Sequence, residues 1–560
     1  MAGAHFKNLR DLILATEKKY PDEIAFKMKY RNEIVGIKYS KFIQDIKCLG
    51  SYLLSLNLEN KRIGVFSENR YEWNVSYLAA ATSNMVVVPF DRALPGHEFN
   101  SLIERAEIEV LIYDKKHLPL VEEQKKTEKN SIKYYIEMED DFNQKIEEGK
   151  ILLNRKDNKY NKIKIENDKM KFMLFTSGTT SLSKCVMLSH RNICSNIEAI
   201  SEALDVTKED TLLSFLPAHH TFECTAGFLY PISVGAKIAF CEGLRYMVNN
   251  MKEFEVTAMI SVPLLYEGIY KKLWKQIEKS KKGTQVKVAL KASEALMKVG
   301  IDMRKQLFKQ VHEALGGKIR LFVSGAAAIS PEVAKGYNDF GFTMFQGYGL
   351  TETSPVVSVE RYDHIKTGSV GLPLKKVDVK IENPSVDGIG EVVVKAQSVM
   401  LGYYNDKEAT DKVLSHGWFK TGDLGRIDEG GYLFITGRKK DVIVLKNGKN
   451  VFPDELEVLV NKLPCVKECM VYGATLEDGD VEIRAKLVYD KDEFIQEIGI
   501  MQDEEIKDMY MQKIKALNKK LPTYKYIRDI IVTDKPLIKT TTNKVKRNEE
   551  LKNILNSESK

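Results

Sequence analysis

Residues 176–184 read TSGTTSLSK, a crowd of hydroxyl side chains with one glycine and one lysine, directly after the apolar run FMLF. Backbone N–H groups in such a loop, hydroxyl donors and a single cation together make a cradle for a phosphate chain. It is not the GxxxxGK[ST] loop, because Lys184 follows Ser183 and precedes Cys185. The same nine residues also suit a plain polar turn between strand and helix. Further along come QGYGLTETSP at 346–355, GWFKTGDLGRID at 417–428, GRKKDVIVLKNGKNVFPDELE at 437–457 and TTTNKVKR at 540–547. Taken singly these are weak signals. A lone Thr351-Glu352 fits a helix cap, Tyr348 fits core packing, and an isolated Asp423 or Arg438 fits a solvated surface charge.

Such residues need a scaffold. From about 60 to 350, short apolar runs (RIGVFSEN, MVVVPFD, VLIYD, TLLSFLP, AKIAFCE, TAMISVP, IRLFVSG, MFQGYG) alternate with helical stretches. This is the pattern of buried parallel strands in a layered α/β domain. Residues 115–170 read as a polar connecting excursion with some surface helix. Glycine-punctuated strands from 370 to 435 suggest a small antiparallel β unit, and the last ~120 residues an α+β unit. The expected division is a large domain at 1–437, a hinge at 438–441 and a small mobile domain at 442–560.

Bulk properties narrow the function classes. The length of 560 residues fits roughly three to four domain-sized units. A hydrophobic content of 43% and a mean hydropathy of -0.29 describe a globular chain. No apolar run approaches the ~18 residues of a spanning helix, and the first twenty residues do not read as a secretory signal. Seven scattered cysteines form no CxxC pair, so a reduced, cytoplasmic setting is expected. The net charge of +7 does not call for nucleic acid. It is uneven, however: residues 271–320 hold 14 Lys/Arg against 4 Asp/Glu.

The five motifs, in this order, resemble the adenylate-forming superfamily of acyl-CoA synthetases, adenylation domains and beetle luciferases, over nearly the whole chain. The resemblance implies a large N-terminal domain of layered α/β subdomains with a small β-barrel unit, and a small mobile α+β domain. It implies ATP, Mg2+ and coenzyme A as co-reactants: a carboxylate attacks the α-phosphate, pyrophosphate leaves, and a thiol displaces AMP. Thr176, Ser177, Gly178, Thr179, Thr180 and Lys184 match the loop on the β- and γ-phosphates. Tyr348 and Gly349 match the adenine-stacking segment, and Gly325, Ala326 and Ala327 the strand-end turn beside adenine and acyl group. Thr351 and Glu352 match the α-phosphate and magnesium contacts, with Thr176 as a second metal ligand. Asp423 matches the ribose acceptor and Arg438 a contact near ribose and phosphate. Lys544 matches the catalytic lysine, Lys440 the hinge, and Gly448 the wall of the pantetheine tunnel. Lys546 and Arg547 are expected to be solvated. Four positions depart from the family pattern: Ser181 and Cys185 replace glycine, Ser183 replaces proline, and Asn543 replaces glycine. Ser181 and Cys185 are expected to add side chains to a flexing loop.

For the acid, LPAHHTFE at 216–223 resembles the segment whose histidine, here His220, borders and gates the acyl entrance; a packed histidine is the plainer alternative. No carboxylate lies within 216–222 to pair an amino-acid ammonium, which speaks against an adenylation domain of peptide synthesis. Leu296, Val299, Met303, Leu307, Val311 and Leu315 fall at i+3 or i+4 steps and suggest one amphipathic helical stripe. VPLLYEGIYKKLWKQ and the basic extension after it are similar to long-chain fatty acyl-CoA synthetases. The leading expectation is therefore a fatty acid-CoA ligase. The basic 271–320 region could meet an anionic membrane, an acidic acyl carrier protein or only solvent. Carrier protein as acceptor, medium-chain or aryl acids as substrates, and an inactive nucleotide-binding homologue stay as alternatives.

Overall fold

The computed structural model describes the chain except residues 1–4, 32, 128–129, 177–182, 447–448, 477–479, 540–544 and 559–560. The short apolar runs form two large sheets. One has seven strands in the order Gly402–Tyr403, Lys184–Ser189, Met170–Thr176, Val86–Pro89, Arg62–Phe66, Val110–Tyr113 and Tyr134–Glu137. The other has nine, from Leu372–Pro373 through Thr343–Gly349, Leu321–Ser324 and Ala258–Ser261 to Glu33–Lys38. Central pairings in both are parallel. Both faces of such strands are covered, so the runs are apolar without alternation.

The helix Tyr71–Thr82 is buried along almost its whole surface. A helix that is apolar all round belongs inside, and this one joins the two sheets. Trp73 and Tyr77 stack on one another at 5.2 Å, Tyr77 stacks on Phe172 of one sheet, and both meet Phe228 edge-on. At the start of the same helix Tyr71 meets Phe26 of the nine-stranded sheet edge-on at 5.6 Å, so one helix touches both sheets.

Where a small β unit was expected, a five-stranded antiparallel sheet of Val377–Glu382, Gly390–Ala396, Leu414–Ser415, Trp418–Ile427 and Leu433–Arg438 stands. The C-terminal part has its own core around the sheet Val466–Thr475, Val481–Tyr489 and Asp529–Thr533, with the helix Asp503–Asn518 packed on it. Among the described residues no helix is long and apolar enough to cross a membrane.

Two expectations are corrected. Residues 115–170 are more than a surface excursion: Tyr134–Glu137 extends the seven-stranded sheet, and the helix Phe142–Leu153 packs on Tyr39–Ser55. The stripe from Leu296 to Leu315 does not lie on one helix. The helix Gly283–Lys298 stops, the chain turns, and the short helices Arg304–Leu307 and Lys309–Ala314 follow. Only Val311 and Leu315 of the stripe are fully buried, and Val299, Met303 and Leu307 are exposed.

Candidate active site

Met170–Thr176 and Lys184–Ser189 form the two antiparallel arms of the hydroxyl-rich loop, with Thr176 opposite Lys184. Ser177, Gly178, Thr179, Thr180 and Ser181 lie outside the described residues. The Thr176 hydroxyl donates to the Lys184 carbonyl at 3.4 Å. Ser183 is held by Arg105, whose guanidinium donates to its carbonyl at 2.7 Å and its hydroxyl at 3.3 Å. Cys185 is corrected: it is a buried strand residue rather than a loop residue, and burial pushes its thiol up to about 12.

The Lys184 ammonium lies 4.7 Å from the centre of the Tyr403 ring. The Tyr403 hydroxyl donates to Glu352 Oε1 at 2.9 Å. One tyrosine thus connects the cation of the first motif to the carboxylate of the second. Tyr403 reaches this place because Gly402–Tyr403 pairs antiparallel with Lys184–Ser189, Tyr403 opposite Val186. The Glu352 carbonyl also accepts from the Met400 N–H at 2.8 Å. Thr351 and Glu352 stand in the 3-10 turn Thr351–Thr353, right after the strand that carries Tyr348.

A second cluster lies beside it. Tyr348 donates to Asp423 Oδ2 at 2.7 Å, and Arg438 Nε lies 2.8 Å from Asp423 Oδ1. Asp423 and Arg438 are register partners on neighbouring strands. Burial raises the Tyr348 phenol well above its ordinary range, and the Asp423 charge adds to this. Arg438 is raised, burial being outweighed by Asp423, Tyr348 and Glu352 together. Gly349 has a packing reason to be glycine: a Cβ there would lie 1.9 Å from the Pro355 carbonyl oxygen. Gly325, Ala326 and Ala327 follow the strand Leu321–Ser324. A Cβ on Gly325 would lie 2.8 Å from the Phe222 ring, and Ala326 has φ +70°. Phe222 thus ties this strand end to the segment of His220.

That segment is pinned by Asn69, which sequence reading passed over inside RIGVFSENRYEW. Its amide donates to Ser214 Oγ at 3.0 Å and to the Leu216 carbonyl at 2.7 Å, and its oxygen accepts from Ala218 N–H at 3.0 Å. The His219 and His220 rings lie 3.9 Å apart, and His219 Nε2 is 3.5 Å from Asp91 Oδ2. Asp91, His219 and His220 bring one ligand-capable atom each within 4.8 Å of one another. Carboxylates therefore do approach this region, although none lies in 216–222. Asp91 comes from the loop after the strand Val86–Pro89 of the seven-stranded sheet. Glu223 is buried, accepts from Ser214 Oγ at 2.6 Å, and is pushed up to about 8 by burial.

Lys440 occupies the turn Lys439–Asp441 that follows Arg438. Lys544, Asn543 and Gly448 lie outside the described residues. Arg547, expected to be solvated, instead donates to Glu457 at 2.6 Å, Asp454 at 3.0 Å and the Val471 carbonyl at 3.1 Å. It anchors the chain just beyond Lys544 to the small domain's own core.

Residues 14–404 match the AMP-binding enzyme family, and residues 440–554 its C-terminal domain. The chain belongs to the AMP-binding enzyme family. This AMP-binding enzyme is 30% identical to long-chain-fatty-acid–CoA ligase 5 of Mus musculus, over 91% of its own length and 82% of the relative's. It is 26% identical to the long-chain-fatty-acid–CoA ligase FadD15 of Mycobacterium bovis, over 84% and 80%. Among solved structures, anthranilate CoA ligase AuaEII in complex with anthranoyl-AMP superposes with a TM-score of 0.78 at 18% identity, over 98% and 97%. ATP-bound MatB from Rhodopseudomonas palustris superposes at 0.76 and 23%, over 96% and 97%. These two establish the fold of this AMP-binding enzyme.

Proposed function

We propose that this AMP-binding enzyme is an AMP-forming fatty acid-CoA ligase, with long-chain acids as substrates. The observation that carries the reading is the joining of Lys184, Tyr403 and Glu352 beside the Tyr348–Asp423–Arg438 cluster. Cations and hydroxyls for phosphates thus stand next to an aromatic and a carboxylate suited to a nucleoside. The long-chain assignment rests on the names of the mouse and mycobacterial relatives.

In the first half-reaction a substrate carboxylate oxygen bonds to the α-phosphorus, the α–β bridging P–O bond breaks, and pyrophosphate leaves. Such chemistry is mostly positioning and charge neutralisation. Thr176, Ser177, Gly178, Thr179, Thr180 and Lys184 bind the departing phosphates. Thr351 holds the α-phosphate, Tyr348 and Gly349 the adenine, Gly325, Ala326 and Ala327 the adenine and acyl border, and Asp423 and Arg438 the ribose. Lys544 bridges carboxylate and α-phosphate as charge builds. Glu352 and Thr176 offer the hard oxygen donors that Mg2+ takes, and Tyr403 holds that carboxylate in place; the ion supplies charge neutralisation on the phosphates. In the second half-reaction the CoA sulfur bonds to the acyl carbon, the acyl–phosphate C–O bond breaks, and AMP leaves. Lys440 is the pivot of the small domain between the steps, Gly448 lines the thiol's path, and His220 gates the acyl entrance.

The test is pyrophosphate release with ATP, magnesium and fatty acids of graded length, with and without CoA. Release should peak at long chains, need CoA for turnover, and fall by at least about a hundredfold in Lys544→Ala. Release indifferent to CoA would transfer the reading to a carrier-protein acceptor. A maximum at medium or aromatic acids would overturn the long-chain assignment, and no release with any acid would overturn the ligase.

A further inference from the structure

The basic 271–320 region divides in two. On the helix Pro263–Lys279, Lys271 and Lys275 both pair with Glu493 of the small domain, and Lys275 also lies 3.1 Å from Glu497. These cations are committed to an internal contact. The lysines that follow are not: Lys287, Lys291 and Lys298 of the next helix and Lys305 of the short helix Arg304–Leu307 are exposed and have no ion pair among the described residues.

The helix Gly283–Lys298 turns Val286, Ala289 and Leu290 inward against the apolar cluster of Leu273, Phe308, Val311 and Phe340. At 100° per residue, Lys287, Lys291 and Lys298 share one outward row, and Val288 and Val299 share the row beside it. Val288 is 62% exposed and Val299 70%. The lysine row also carries one carboxylate, Glu294; Lys335 of the neighbouring helix is paired with Asp339 at 2.7 Å, with Glu294 adding a smaller contribution to raising that ammonium.

The end of this helix is a built feature. Gly300 N–H donates to the Met297 carbonyl and Ile301 N–H to the Leu296 carbonyl, both at 3.0 Å, with Gly300 at φ +79°. That is the paired bonding of a Schellman cap. Asp302 then forms a two-bonded pair with Arg304, and Arg304 donates to the Asn338 carbonyl at 2.7 Å. The one acid of the turn is thereby neutralised, and the turn is stapled to the helix Pro331–Asp339. This capped turn leaves Val299, Ile301 (50% exposed) and Met303 in solvent, with Met297 and Leu307 exposed beside them.

We propose that the cap at 297–307, with the lysine row of the helix before it, is a surface that docks on anionic lipid bilayers. Exposed apolar side chains on a capped, stapled turn suit shallow insertion among lipid headgroups, and flanking lysines keep their ammonium groups at the phosphate level. The proposal rests on exposed side chains far in sequence from the nucleotide motifs and does not depend on which acid is activated.

The full chain is to be sedimented with vesicles of phosphatidylglycerol and phosphatidylcholine, and with phosphatidylcholine alone, at low and high salt. Binding should appear with the anionic vesicles, weaken with salt and be lost on neutral ones. Val299→Asp with Ile301→Asp, and separately Lys291→Glu with Lys298→Glu, should each weaken it by about tenfold or more. All four positions are exposed, so thermal midpoints and pyrophosphate release with a short, soluble acid should stay unchanged. No vesicle binding, or equal binding by variants and parent, would overturn the proposal. So would an acidic carrier protein that binds the parent but not these variants while vesicles do not bind.

Discussion

Tyr403 stands between a cation and a carboxylate that the chain supplies from positions 184 and 352. Its hydroxyl fixes the Glu352 carboxylate while its ring faces Lys184, so Tyr403→Phe removes one contact and retains the other. A hydrogen bond to a charged group contributes about 1.5–3 kcal/mol. The variant should therefore lose about ten- to a hundredfold in kcat/KM for pyrophosphate release, with its fold unchanged. Activity within twofold of the parent would mean that Glu352 needs no such support. Glu223 carries a pH signature. Its folded pKa of about 8 lies above the ordinary 4.5. Between these values the native protein holds a proton that the unfolded chain has released, so stability is full below the lower value and falls as pH rises through the upper one. Glu223→Gln should remove that slope, on the order of 1 kcal/mol per pH unit. Thermal midpoints measured from about pH 5 to about pH 8 should show the parent declining relative to the variant.

At the scale of elements, the strand Thr343–Gly349 and the turn after it place Tyr348, Thr351 and Glu352 through a backbone contact that tolerates no side chain. Gly349→Ala would drive a Cβ to within 1.9 Å of the Pro355 oxygen. Overpacking of this kind costs about 1–3 kcal/mol, and a lowered urea midpoint with reduced activity is the expected outcome. The linear motifs were legible because each gathers hydroxyl, glycine and charged residues into one continuous run of the chain. The parallel α/β layers were legible from continuous apolar runs. Tyr403, Asn69 and Asp91 were not, because strand register and sheet-to-sheet packing bring them from distant positions and no local pattern encodes that. The 296–315 stripe misled for the opposite reason. Its spacing runs straight across Gly300, and the glycine, not the spacing, decided where the helix ended.

At the scale of the molecule, the small domain touches the large one through Glu493, held by Lys271 and Lys275, and through Lys462 with Glu332 at 2.9 Å. Contacts of this kind between partly exposed charges are weak and sensitive to salt. Glu493→Gln, or raised ionic strength, should loosen this arrangement and speed tryptic cleavage at Arg438, Lys439 and Lys440. Unaltered cleavage would show that the pairs do not restrain the domain.

Asp423 holds Arg438, where the two domains join in sequence. In the described structure it is shared between Tyr348 and Arg438, and Arg438 immediately precedes the Lys439–Asp441 turn that leads into the small domain. On the ribose assignment proposed for Asp423, a ribose that took over part of this carboxylate would alter the grip on the residue where that turn begins. Coupling of this kind is reciprocal: if nucleotide occupancy biases the domain arrangement, the arrangement must bias nucleotide affinity by the same factor. The two half-reactions would then be ordered by thermodynamic linkage at one aspartate, with no separate signal required.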